Sequence, residues 1–197
     1  MKLGKLVKSN SHTDYVCQIY NSGEIENPPS NQDYAFGSFV KIELETQNTL
    51  VGLIYDTVLF NPDFGRLGPR LSPEQDLAIF SPDYINEQAI LIGIMVIGSL
   101  RDDGNVMQGV PDIAAKNDAM VIKMPEDEIK NFHQANPGIY MDYISVLLSH
   151  QSPLAIYLVQ KTITKLLTLF PDQYKVLNVL LDDLNWKTQI RQLGGTQ

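Results

Sequence analysis

Between Asp33 and Thr57 the chain reads DYAFGSFVKIELETQNTLVGLIYDT, and its apolar positions recur every second residue. Val40, Ile42 and Leu44 alternate with Phe39, Lys41, Glu43 and Glu45, the period-two pattern of a strand with one buried face. Polar Thr46-Gln47-Asn48-Thr49 follows, and Leu50-Val51-Gly52-Leu53-Ile54-Tyr55 returns, so the pair predicts a β-hairpin. Gly52 lies inside the second strand, where glycine marks a bulge or the close approach of another backbone, as at the corner of a small barrel.

The same reading extends in both directions. Met1–Lys8 and Tyr15–Tyr20 predict two earlier strands joined by the polar turn Ser9-Asn10-Ser11-His12. Ala89–Leu100, AILIGIMVIGSL, is apolar throughout and predicts a strand buried on both faces, at the centre of a barrel or under a covering helix, with bends at Gly93 and Gly98. Asp102-Asp103-Gly104-Asn105 reads as a turn and Ala119–Lys123 as the last strand. About six short strands, with no periodic segment between them long enough for a crossover helix, predict a small closed barrel.

After Met124 the period changes to that of helices. Pro125 with acidic Glu126, Asp127 and Glu128 opens a short one that ends at Asn136-Pro137-Gly138. Ile139–His150 predicts a second, and Ser152-Pro153 caps a third, with Ile156, Val159, Ile163, Leu166, Leu167 and Phe170 on its stripe. A fourth runs from Gln173 to about Leu193, with Leu177, Leu180, Leu181 and Leu184 on one face, and Gly194-Gly195 stops it. The expected fold class is therefore α+β: a small N-terminal β-barrel of approximately six strands over residues 1–124, then a C-terminal α-helical unit over 125–197.

One segment escapes both periods. Phe60–Gln88 carries prolines at 62, 69, 73 and 82 and is too long for a simple connector, and such loops in compact domains are usually functional or mobile. Within it Phe64, Arg66 and Arg70 present an aromatic ring and two guanidinium groups on a proline-stiffened segment, a composition enriched in interface hot spots. These three are the candidate partner-binding residues. The bland alternative is that the arginines pair locally with Asp63, Glu74 or Asp76.

Composition narrows the chemistry. The 197 residues are long enough to bury a sizeable core, and 44% apolar with 19% charged excludes wholesale disorder. A net charge of −8 repels phosphate backbones, and Lys2, Lys5 and Lys8 form the only basic cluster along the sequence, so nucleic acid is not the expected partner. There is no phosphate-cradling glycine loop, dinucleotide fingerprint or Gly-x-Ser-x-Gly elbow. His12, His133 and His150 lack metal-ligand spacing, and the lone Cys17 reads as a small core residue. Asp182-Asp183 reads as the solvated face of a helix. No catalytic residue, metal or cofactor is expected, and no run reaches the ~20 apolar residues of a membrane-spanning helix. Residues 1–11 lack a signal-peptide core, so the expected setting is the cytoplasm.

The strand segments resemble a known family. Leu3-Gly4-Lys5-Leu6-Val7-Lys8-Ser9, Phe36-Gly37-Ser38-Phe39-Val40-Lys41-Ile42-Glu43 and Leu50-Val51-Gly52-Leu53-Ile54 are similar to the opening, Gly-x-aromatic-Val and returning strands of the HAS-barrel. Val110-Pro111 through Val121, with Glu128-Ile129, resembles its closing strand and following helix. This is the small barrel shared by the HerA DNA translocases and the catalytic subunits of rotary ATP synthases, and the likeness covers residues 1–132. It implies a role in ring assembly and docking of partner proteins. In the translocases an ATPase domain follows the barrel, whereas here residues 125–197 read as helices, so no catalytic residue carries over.

Three functional readings result. The first is a non-enzymatic adaptor or assembly protein that works by protein contact, with a protein partner of unknown identity or a second copy of itself. The alternatives are a barrel that binds or transforms a small anion under the 60–88 loop, held by Arg66 and Arg70, and an accessory protein of a DNA-translocase system.

Overall fold

The computed structural model describes residues 1–45, 48–61, 88–101, 104–135, 138–150 and 152–194. Its strands are β1 (Lys2–Ser9), β2 (Asp14–Ile19), β3 (Phe39–Glu43), β4 (Asn48–Phe60), β5 (Ala89–Arg101), β6 (Val106–Gln108) and β7 (Met120–Lys123). Neighbours run antiparallel in the order β2-β1-β7-β3-β4-β5, and β2 also pairs with β5, so six strands close into a barrel. Closure leaves no free edge within the ring. The short β6 adds outside the ring, on the far end of β5.

The predicted hairpin is β3–β4, with Phe39 opposite Leu53, Val40 opposite Gly52 and Ile42 opposite Leu50. Gly52 sits at a register shift between β4 and β5, and a second shift falls between Ile54 and Asp56 on β4, opposite Ile94 and Gly93. Bulges of this kind raise local twist and allow long strands to wrap a narrow barrel.

Two apolar layers explain the pattern of β5. Ile92, Ile94 and Val96 point into the barrel with Leu3, Leu6, Cys17, Ile42, Leu50 and Val121. Met95 and Ile97 point outward, joining Phe39, Val51 and Leu53 beneath the helices. The continuous apolar run thus reflects helices laid over the outer barrel wall. The same cover buries Phe39, which strand alternation had assigned to the exposed face of β3 with Lys41 and Glu43.

The helices are α1 (Glu126–His133), α2 (Ile144–Ser149), α3 (Ala155–Leu169) and α4 (Tyr174–Gly194), with a single 3-10 turn at Pro171–Gln173. Glu126, Asp127 and Glu128 occupy the positive end of α1, while Ile129 and Phe132 face the barrel. The start of α3 follows Ser152, whose hydroxyl accepts from the Leu154 amide at 3.1 Å. Leu158, Val159, Ile163 and Leu166 of α3 enter the layer shared with the barrel. Leu158 and Leu169 belong to the buried stripe although the sequence reading omitted them.

One helix expectation needs correction. The helix expected over Ile139–His150 begins only at Ile144, because β9 (Gly138–Ile139) turns back on β8 (Gln134–Ala135), with Gly138 at φ +108°. The backbone there is held by Gln108: its amide donates to the carbonyls of Phe132 (2.8 Å) and Tyr140 (3.0 Å), and its oxygen accepts from the Asp142 amide (2.9 Å). That side chain supplies partners that a helix would otherwise provide. On α4, Leu177 is buried, Leu181 and Leu184 pack behind it, and Leu180, 38% exposed, lies at the outer edge of the same face.

Candidate functional site

The sequence-predicted contact residues Phe64, Arg66 and Arg70 lie outside the described residues, as do Asp102 and Asp103. What is described is the ribbon that leads into and out of that segment. On it Val58, Leu59 and Phe60 of β4 pair with Leu91, Ile90 and Ala89 of β5. All three β4 side chains are exposed, Leu59 by 77%.

A second apolar surface lies on α4. Its inward edge, Leu177 with Leu181 and Leu184, packs into the layer shared with α3, and Gln160 of α3 donates to Asn185 at 2.9 Å. Residues three and four apart share a helix face, so Val176, Val179, Leu180 and Trp186 form a second stripe, and all four are exposed, Val179 by 68% and Trp186 by 63%. Lys187 donates to Asp183 one turn back at 2.6 Å, and Asn178 donates to Asp182. A helix apolar on two faces has one more face than its own fold uses. The sequence signal for this was present in the spacing of Val176, Val179 and Trp186, which the reading of the leucine face passed over.

Cys17, His133 and His150 are packed into the fold. Cys17 is buried in the barrel, and burial pushes its thiol up to about 12, so it is not a thiolate at neutral pH. His133 is fully buried between α1 and α2, with Nδ1 at 2.7 Å from the Ile129 carbonyl and Nε2 at 2.6 Å from the Tyr143 hydroxyl. His150 lies at the end of α2 beside Asp14 of β2, its Nε2 3.7 Å from Oδ2, and its ring meets that of Tyr55 edge-on at 4.7 Å. Tyr55 donates to Asp14 Oδ1 at 2.8 Å, and its own hydroxyl is pushed up by burial and then by that carboxylate. The cluster ties β2 and β4 to the end of α2. Among the described residues no group of three or more His, Cys, Asp or Glu side chains is placed to hold a metal ion.

Residues 1–194 match the family described as Domain of unknown function (DUF8166), and the chain belongs to that family. No curated protein matches the chain.

Proposed function

We propose that this member of the DUF8166 family is a non-enzymatic interaction or assembly protein whose contact surface is the outward stripe of α4. The observation that carries the reading is the exposure of Val176, Val179, Leu180 and Trp186 on a helix whose opposite face is already buried. Tryptophan is enriched among interface residues that carry binding energy, and an exposed apolar helix face fits a helix-in-groove contact. The closed six-stranded barrel is the architecture that the HAS-like resemblance implies, and supports the same role. A net charge of −8 disfavours a second copy and favours a protein partner with a basic rim around an apolar centre. A cytoplasmic setting belongs to the proposal and agrees with the single free cysteine, Cys17.

The test uses Val179→Glu with Trp186→Ala in the full-length chain. The expected result is a monomer by light scattering, an unchanged melting temperature, and loss of a basic protein that co-purifies with the wild type from its own cells. Persistent co-purification overturns the surface assignment. Concentration-dependent dimers abolished by the same substitutions would replace the partner with a second copy.

A further inference from the structure

A cleft of about 460 Å³ opens where the turn before β3 meets the end of β7, the start of α1 and the middle of α3. Three lysines, Lys123, Lys161 and Lys165, line it against one glutamate, Glu126. That is a local reversal of sign in a chain of net charge −8. Two of the ammonium groups are already engaged: Lys123 donates to Asp33 at 3.0 Å, and Lys165 pairs with Glu126. Lys161 has no hydrogen-bond or ion-pair partner among the described residues.

The position of Lys161 is built by the turn. Gly37 stands at φ +80°, its amide donates to the Ile54 carbonyl at 2.7 Å, and a Cβ there would come within 2.7 Å of Lys161 Cγ. Glycine therefore lets the turn press against the aliphatic stem of the lysine, which fixes the root of a side chain whose charge is unspent. The remaining wall is mixed: Phe36 is only partly buried and keeps apolar surface, Phe39, Met124 and Ile129 are each more than nine-tenths buried, and Thr164 and Thr168 bring hydroxyls. Ser38 adds a hydroxyl.

We infer that this cleft binds a small organic anion with an apolar body, its carboxylate or phosphate head taken by Lys161 and shared with Lys165 and its tail laid on Phe36. The volume lies within the range of small-molecule sites, roughly 300–1,000 Å³. An anion here needs no new buried charge in the protein, since one ammonium has no partner among the described residues and a second can be drawn from an exposed ion pair, whose loss costs little. The inference is independent of the α4 contact surface, which shares no residue with the cleft.

Titration of the full-length protein with octanoate, octyl phosphate, octylammonium and octanol, followed by calorimetry and NMR, tests it. Saturable binding of octanoate or octyl phosphate is expected, with the tighter of the two identifying the head group. Octylammonium and octanol should bind at least about tenfold more weakly. Lys161→Ala should weaken the anion by about tenfold, and Lys161→Arg should restore most of it with the same melting temperature as wild type. Binding of neither anion, equal binding of octanol, or an unchanged affinity in Lys161→Ala overturns the inference.

Discussion

The hydroxyl of Tyr143 donates a 2.6 Å hydrogen bond to Nε2 of His133 inside the apolar layer that joins barrel to helices. The Ile129 carbonyl, 2.7 Å from Nδ1, can only accept, so the proton sits on Nδ1 and Nε2 is the acceptor. A neutral ring satisfies both nitrogens, and burial in this apolar layer is what keeps it uncharged. Three aromatic rings, those of Phe39, Phe132 and Tyr143, surround it at 5.1–5.5 Å. Burial, opposed by the Ile129 hydrogen bond, lowers its pKa from 6.5 to about 4.

The unfolded chain therefore takes up a proton at His133 near pH 6.5, while the folded chain resists until about pH 4. Stability from this group is fully present above the higher value and is lost as pH falls through the window, by on the order of 3 kcal/mol. Urea midpoints at about pH 7 and about pH 4.5 should differ by less in His133→Gln than in wild type. Equal differences would mean that His133 titrates normally. Tyr143→Phe leaves Nε2 without its donor and should cost about 1–3 kcal/mol at neutral pH.

The central strand offers a contrast between neighbours. Val40 and Ile42 are fully buried in the barrel, so Val40→Asp or Ile42→Asp places a carboxylate without a partner in the core. The cost of several kcal/mol approaches the total stability of a domain, about 5–15 kcal/mol, and these variants should not fold. Lys41 lies between them and pairs with Glu128 at 2.7 Å, both side chains partly exposed. Lys41→Asp sets two carboxylates together and should cost only about 1 kcal/mol, a loss reduced by salt. Circular dichroism and thermal melting separate the cases; a folded Ile42→Asp would mean that the strand register is shifted by one.

How far the sequence carried this fold depends on which neighbours a pattern already implies. Alternation located β3 and β4 because each strand meets the barrel interior with the same parity, and Gly52 marked the bulge for the same reason. It misplaced Phe39 because the burial of that ring depends on helices about ninety residues later in the chain. Gln108 and its contacts were invisible for a related reason: a side chain, and no period, satisfies the backbone of Phe132, Tyr140 and Asp142. Of the candidate site, the composition of Phe64, Arg66 and Arg70 was legible, but their placement lies outside the described residues. The outward stripe of α4 was spelled in the sequence and hidden by it, since a helix apolar on two faces has no single period to read.

The boundary at 124/125 marks a change from strand to helix, and truncation tests whether it also separates domains. The barrel interior is complete without the helices, drawing only on residues before the boundary. The outer layer is not: removing residues 125–197 bares Phe39, Val51, Leu53, Met95 and Ile97. A fragment of residues 1–124 should thus keep β-sheet circular dichroism and a cooperative melt while binding a hydrophobic dye and self-associating. Loss of the sheet signal would show that the helical layer is required for the barrel to form.

The last prediction concerns the joint between the barrel and the end of α2. Asp14 is nearly buried, and its carboxylate accepts from Tyr55 at 2.8 Å and from Asn10 at 3.2 Å. Tyr55 reaches it by lying flat on Gly93, where an added Cβ would stand 2.7 Å from the ring carbon that bears the hydroxyl. Tyr55→Phe should cost about 1–3 kcal/mol by removing a donor from a shielded carboxylate. Gly93→Ala should cost a similar amount, about 1–3 kcal/mol, by forcing the ring off its seat and the hydroxyl away from Asp14. Because both substitutions break the same hydrogen bond, the double variant should be less destabilised than the two single losses added together. Urea denaturation of the four proteins measures the coupling, and additivity within about 0.5 kcal/mol would show that Gly93 does not position Tyr55 for Asp14.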